Sequence, residues 1–271
     1  TYGDVPTRQA AGIAMTRIAR TGTHLLHLAK YVNTMRGWGR GVRKSFARWY
    51  TNKSPDALAL QLIKYANRDG WTHRDVLRLV HPKATGAHQQ LFAYVTNKAY
   101  NFADTELSDY MWGVNEVKSL SESESKDAVK RAAELIAQHK FPREFIPTEL
   151  LNHPQVWEAL LPHMGATALI RNLATLTRLG VLSPLSDNTS RVVEKLSDLG
   201  ALIRAKVHPI QVLSAYYTYE GGASIRGNTT WTPVQEISNA LDDAFYVLMN
   251  NTPPTGKRLY LGVDVSGSMG G

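Results

Sequence analysis

Helix-start signals recur along the first hundred residues every 14–18 positions, near Pro6, Thr23, Gly39, Ser54, Thr72 and Gly86, each followed by apolar residues at helical spacing. A helix pair therefore takes about 32–35 residues, the period of two-helix solenoid repeats. In such a repeat no pair buries its apolar face alone, so neighbours must stack to complete the core. The pairs share little sequence identity, so period and pattern carry this reading. It predicts an all-α chain over most of its length.

Local signals agree with the period. Ser54-Pro55 reads as an N-cap followed by proline at the first helical position, where a missing N–H costs nothing. Thr72-His73-Arg74-Asp75 fits a capping box. Leu58, Leu62 and Tyr65 form one apolar stripe, and Val76, Leu77 and Val80 another. Helical signal continues over 125–139, 147–161, 166–179, 191–199, 208–219 and 234–250. Loops separate the later segments at Ser183-Pro184, Glu220-Gly221-Gly222 and 252–256. After the last loop, Arg258-Leu259-Tyr260-Leu261-Gly262-Val263 is rich in strand formers. One strand is no stable sheet, so its partners are expected beyond Gly271. With neither an initiator Met nor a signal-peptide pattern at Thr1, the chain reads as a piece of a larger molecule.

Charge is distributed unevenly. Residues 1–100 carry 16 Lys/Arg against 4 Asp/Glu, while residues 101–271 carry 15 against 19, so the net +8 splits into +12 and −4. Between Asp4 and Asp56 there are ten Lys/Arg and no acid. Soluble surfaces normally mix signs. A one-signed block this long in helix-forming sequence points to a polyanion-facing surface, and nucleic acid is the leading class.

Several classes are excluded. The chain has no cysteine, which removes disulfide scaffolds, thiolate zinc sites and thiol catalysis, and fits a reducing compartment. No apolar run is long enough for a membrane helix, so a cytoplasmic protein without a membrane partner is expected. There is no G-x-S-x-G, P-loop or dinucleotide glycine pattern. His24 and His27 form an H-x-x-H pair but lack the further ligands a zinc site needs.

The residues that can carry binding chemistry lie in the basic block. On a helix over 39–51, Arg40, Lys44 and Arg48 are spaced i, i+4, i+8 and share a face, with Arg43 beside them. Cations there would neutralise phosphates and release counterions. Phe46 and Trp49 interleave with them and are assigned to core packing. The next helix is read as ending Lys64-Tyr65-Ala66-Asn67-Arg68-Asp69-Gly70, which puts Lys64 and Arg68 on one face, unless they serve as C-terminal charges favouring the dipole. His81 ends the following helix, either as a cap or as a donor to phosphate or base edges. Asp264-x-Ser266-x-Ser268 follows the strand-like run and offers one carboxylate and two hydroxyls, hard oxygen donors suited to Mg²⁺ or another divalent cation.

These motifs, in order, resemble the Ro autoantigen (TROVE-domain) family. The resemblance is carried by Thr7-Arg8-Gln9-Ala10-Ala11, Trp38-Gly39-Arg40 and Asn67-Arg68-Asp69-Gly70-Trp71-Thr72-His73-Arg74-Asp75. It continues in Thr167-Ala168-Leu169-Ile170-Arg171-Asn172-Leu173, His208-Pro209-Ile210, Ala240-Leu241-Asp242-Asp243-Ala244-Phe245-Tyr246 and Asp264-Val265-Ser266-Gly267-Ser268-Met269.

The family implies HEAT-like helical repeats bent into a ring and closed by a von Willebrand factor A domain. Residues 1–252 would be the TROVE helical-repeat domain, lacking its N-terminal repeats, and 253–271 a linker with the first strand of a truncated α/β A domain. Such proteins bind Y or Y-like RNA and misfolded or damaged non-coding RNA by its 3′ end, in RNA quality control. In bacterial members a Y-like RNA tethers polynucleotide phosphorylase. The absence of cysteine suits a bacterial or phage member.

By the resemblance, Lys64, Arg68 and His81 match family positions implicated in RNA binding, Arg40, Arg43 and Lys44 match the neighbouring basic helix, and Asp264, Ser266 and Ser268 match the A domain's first cation loop. The expected function is therefore non-enzymatic RNA binding. The alternative is a helical-repeat scaffold for an acidic protein partner. A Mg²⁺-dependent hydrolase at Asp264 ranks last, because the sequence supplies no second carboxylate or general base beside it.

Overall fold

The structure is a computed structural model that describes residues 3–35, 37–122, 125–225, 227–250, 253–258, 260 and 262. It forms two compact units, residues 1–163 and 164–271. In the first, α1 (Val5–Ile18), α2 (Gly22–Met35), α3 (Arg40–Thr51), α4 (Pro55–Lys64), α5 (His73–Val80) and α6 (Gly86–Val95) begin within about a residue of the expected starts. They are followed by α7 (Ser108–Ser119), α8 (Lys126–His139) and α9 (Pro154–Leu160). The second unit holds α10 (Ala166–Arg178), α11 (Asp187–Ser197), α12 (Leu199–Arg204), α13 (Pro209–Glu220) and α14 (Gln235–Asn250). Among the described residues no helix is long and apolar enough to cross a membrane.

The caps act as read. The Ser54 hydroxyl accepts from the Ala57 amide at 3.4 Å, with Pro55 opening α4. Thr72 Oγ1 accepts from the Asp75 amide at 3.2 Å, while Asp75 Oδ2 accepts from the Thr72 amide at 2.9 Å. This reciprocal pair satisfies two orphan donors at the start of α5.

Four local features differ from expectation. α4 stops at Lys64, and Asn67-Arg68 (β1) pairs antiparallel with Trp71-Thr72 (β2) across a two-residue Asp69-Gly70 turn. Both turn residues have positive φ, 53° and 80°, the geometry that suits the right-handed twist of a tight hairpin. Lys64 and Arg68 therefore do not share a helix face. The 147–161 segment is broken, because Pro154 opens α9 and cannot sit inside a helix. α11 begins at Asp187, four residues before the expected Arg191, where the Ser186 hydroxyl accepts from the Thr189 amide at 3.2 Å. α7 has no signal of its own; Gly113 in its middle packs so closely on His139 and Phe141 that a Cβ would lie 2.8 Å from the imidazole. The strand-like run at 258–263 falls largely outside the described residues.

The core of the first unit centres on α3. Phe46, Trp49 and Tyr50, at i, i+3 and i+4, are fully buried with Leu25, Leu26, Leu58, Val76 and Leu91. Two polar atoms in this core are satisfied across elements. Trp49 Nε1 donates to the Ala19 carbonyl, and Tyr50 shares a 2.9 Å hydrogen bond with His73 Nδ1. The His73 ring stacks on Trp49 with centroids 6.1 Å apart. Burial lowers the His73 pKa to about 4, opposed in part by the Gln61 and Tyr65 backbone.

His73 thus folds in neutral and must protonate on unfolding below about pH 6.5. Its contribution is fully present above that pH and is lost as pH falls toward 4, at most about 3 kcal/mol from the lowered pKa at 1.36 kcal/mol per unit. Urea unfolding at pH 7 and pH 4.5 should show the loss, and His73→Asn should flatten this part of the pH dependence.

Candidate functional site

α3 has two opposed faces. Its inner face is the Phe46, Trp49 and Tyr50 anchor, and its outer face carries Arg40, Lys44 and Arg48 at successive turns. Arg40, Arg43 and Lys44 are exposed and Arg48 is half-buried. This charge pattern opposes helix stability. Arg40 and Arg43 lie in the first turn, where the positive end of the helix dipole favours acids, and the turn has no acidic residue. Lys44 and Arg48 are like charges at i, i+4, which repel by a few tenths of a kcal/mol. Gly39, at the N-cap, offers no side-chain acceptor to compensate. The helix holds this arrangement because its aromatic face is anchored in the core.

The outer face borders an open groove of about 280 Å³ lined by Lys44, Ala47, Arg48, Thr51 and Asn52 of α3, with Pro82 and Lys83 on the other wall. Its charged lining residues are all cations, Lys44, Arg48 and Lys83. His81 sets the second wall. It caps α5 in the left-handed region, φ 44° and ψ 57°, with its amide donating to the Leu77 carbonyl at 3.0 Å. Its side chain is exposed. A non-glycine residue in that conformation costs about 1 kcal/mol or more, so a helix stop alone would favour glycine.

The other expected residues are placed separately. Arg40 extends the Lys44–Arg48 line by one turn, and Arg43 Nε donates to the Trp38 carbonyl at 2.9 Å. Lys64 pairs with Glu144 at 3.7 Å and lies 5.8 Å from the Tyr65 ring centroid. Arg68 is exposed in the 67–72 hairpin, which His27 of α2 tethers through Asp69. Lys64 and Arg68 do not line the groove. Lys83 was missed in the sequence. It is a single cation after a helix stop, and only the His81 turn brings it opposite α3.

Trp49, Phe46 and Tyr50 present no ring to the groove, so its chemistry is ionic and hydrogen-bonding, suited to phosphate oxygens. Among the described residues no group of three or more His, Asp or Glu gathers as a metal-holding set. His27 is engaged with Asp69 instead. Asp264, Ser266 and Ser268 lie outside the described residues.

Known proteins match along most of the chain. The TROVE domain model matches residues 14–142 and 137–218. RNA-binding protein RO60 of Deinococcus radiodurans is 37% identical over 264 residues, covering 97% of this chain and 48% of that protein. RNA-binding protein RO60 of Caenorhabditis elegans is 33% identical over 304 residues, covering 93% of this chain and 47% of that protein. The crystal structure of Deinococcus radiodurans RO (RSR) protein superposes with a TM-score of 0.78 at 34% identity, covering 95% of this chain and 51% of that one. The chain thus spans about half the length of the relatives it matches.

If His81 is kept at the cost of backbone strain, His81→Gly should stabilise the chain by roughly 1 kcal/mol in urea unfolding. An unchanged or lowered stability would show that the imidazole itself supports the fold.

Proposed function

The chain belongs to the TROVE-domain family, and from that premise we propose that it binds RNA through the basic groove between α3 and the His81–Lys83 turn. The observation that carries the reading is the outer face of α3, which aligns Arg40, Lys44 and Arg48 and places Arg40 and Arg43 in the first turn, where the helix dipole disfavours cations. Arg40, Lys44 and Arg48 are spaced about 6 Å apart along the helix axis, at 1.5 Å per residue, and can engage successive phosphates of one strand. Lys83 contributes from the opposite wall. Arg43, Lys64, Arg68 and His81 extend the surface, with RNA displacing Glu144 from Lys64. Contacts of this kind position a phosphate backbone without reading bases. The RNA-binding names of the two relatives support the same class of ligand.

The finer reading is a carrier of Y or Y-like RNA that also captures misfolded or damaged non-coding RNA, acting in the cytoplasm within a ribonucleoprotein. Association with polynucleotide phosphorylase would pass through the bound RNA. The protein acts by binding and carries out no chemical step. Asp264, Ser266 and Ser268 have the donor chemistry for Mg²⁺ or another divalent cation, and that proposal rests on residue types alone.

Affinity for a labelled RNA hairpin with a single-stranded 3′ tail should fall steeply with salt, and the log–log slope should flatten by about one for each cation removed in Lys44→Ala, Arg48→Ala and Lys83→Ala. Lys64→Ala with Arg68→Ala should flatten it further. A salt-independent affinity, or displacement of the RNA by an acidic protein that RNA cannot displace in return, would replace this reading with the scaffold alternative.

A further inference from the structure

The connection between α6 and α7 builds a second cluster, away from the residues that line the groove. It lies in the middle of the first unit, with α1–α6 before it and α7–α9 after it. Tyr94 of α6, Tyr100 and Phe102 pack as a set of three rings. Their centroids lie 5.2 Å apart for Tyr94 and Tyr100, 5.4 Å for Tyr100 and Phe102, and 6.4 Å for Tyr94 and Phe102. Phe102 is buried, Tyr94 is half-buried and Tyr100 is 42% exposed. The backbone beside Tyr100 is tied down. The Asn101 amide donates to Gln90 Oε1 of α6 at 2.8 Å, and the Ala103 amide donates to Asn101 Oδ1 at 2.9 Å. Two rings and a fixed turn thus hold Tyr100 at the surface.

Three cations converge on the same place. Lys118 of α7 donates to the Tyr94 hydroxyl and lies 5.1 Å from that ring's centroid. Arg74 of α5 donates through Nε to the Val95 carbonyl at 3.3 Å. Asn97, in the left-handed region at φ 57°, turns the chain after α6, and the Lys98 amide donates to the Ala93 carbonyl at 2.9 Å. Lys98 and Lys118 are exposed. Among the described residues none of the three cations is paired with an acid, although Asp104 and Glu106 follow in the same loop.

An exposed ring flanked by unpaired cations suits a planar base joined to phosphates. Every base has a π-face that can stack on tyrosine, whereas a base inside a duplex already stacks on its neighbours. A ring ordered in advance loses little further freedom when a base lands on it. The groove beside α3 offers no such ring, since Phe46, Trp49 and Tyr50 are buried.

We propose that Tyr100 stacks an unpaired nucleotide of the bound RNA, with Lys98 and Lys118 on the flanking phosphates and Tyr94 and Phe102 holding the ring. This rests on the RNA reading and deepens it, because it gives the protein a preference for unpaired over paired nucleotides.

The test uses two labelled probes in fluorescence anisotropy, a blunt RNA duplex and a single-stranded uridine heptamer with 5-iodouridine at its centre. Tyr100→Ala should weaken the heptamer by about tenfold, within the range of one base–aromatic stack, and leave the duplex unchanged. Tyr100→Phe should keep wild-type affinity for both. Lys98→Ala should flatten the heptamer's salt slope by about 0.7, the single-strand value for one lost phosphate contact. Irradiating the wild-type complex should cross-link the iodouridine to Tyr100, read by mass spectrometry without any substitution. Wild-type heptamer affinity in Tyr100→Ala, equal losses for heptamer and duplex, or cross-links that avoid Tyr100 would each overturn the proposal while leaving the groove as the RNA site. A wild-type chain that binds neither probe would overturn the RNA reading itself, and this proposal with it.

Discussion

The anchoring of α3 in the first unit's core is the constraint on which the candidate site depends. Trp49 donates to the Ala19 carbonyl, Tyr50 bonds His73, and both rings are buried with Phe46. Burying three aromatic side chains contributes several kcal/mol. That is enough to offset the few tenths to one kcal/mol lost at each misplaced cation on the other side of the helix. Without the anchor, a twelve-residue segment with four cations and no acid would be a poor helix.

The same anchor positions the second wall. His73, the first residue of α5, is the partner of Tyr50, so the helix that leads to His81, Pro82 and Lys83 is fixed to the helix that carries Lys44 and Arg48. The capping box at Thr72 and Asp75 sets where α5 begins, and the left-handed His81 sets how the chain leaves it. Local sequence chemistry, core packing and the groove are thus linked through one buried hydrogen bond. The second unit reverses the charge logic: its last two helices carry acids and exposed tyrosines without a single cation.

Much of this was legible in the sequence because the signals were local. Ser54-Pro55, Thr72–Asp75 and the i, i+4, i+8 cations depend only on neighbours along the chain, and each appears as read. What was not legible depended on the fold or on a competing local preference. Asp69-Gly70 turns the chain into a hairpin, where charge spacing alone suggested a continued helix. α7 lacks a side-chain cap and carries Gly113, whose purpose is to admit His139 and Phe141. Lys83 has no periodicity to flag it and joins the groove only through the turn at His81. Lys64 and Arg68 are adjacent in sequence logic but placed on different elements, one facing Glu144 and one in the hairpin.

The central claim is that RNA lies against the outer face of α3 and the facing Lys83. Lysine acetylation footprinting with mass spectrometry tests it most directly, since it reads single side chains of the protein without substituting any residue. Bound RNA should protect Lys44 and Lys83 in proportion to occupancy, while the exposed Lys130 and Lys206 remain reactive. Equal labelling of Lys44 and Lys83 with and without saturating RNA would contradict the account.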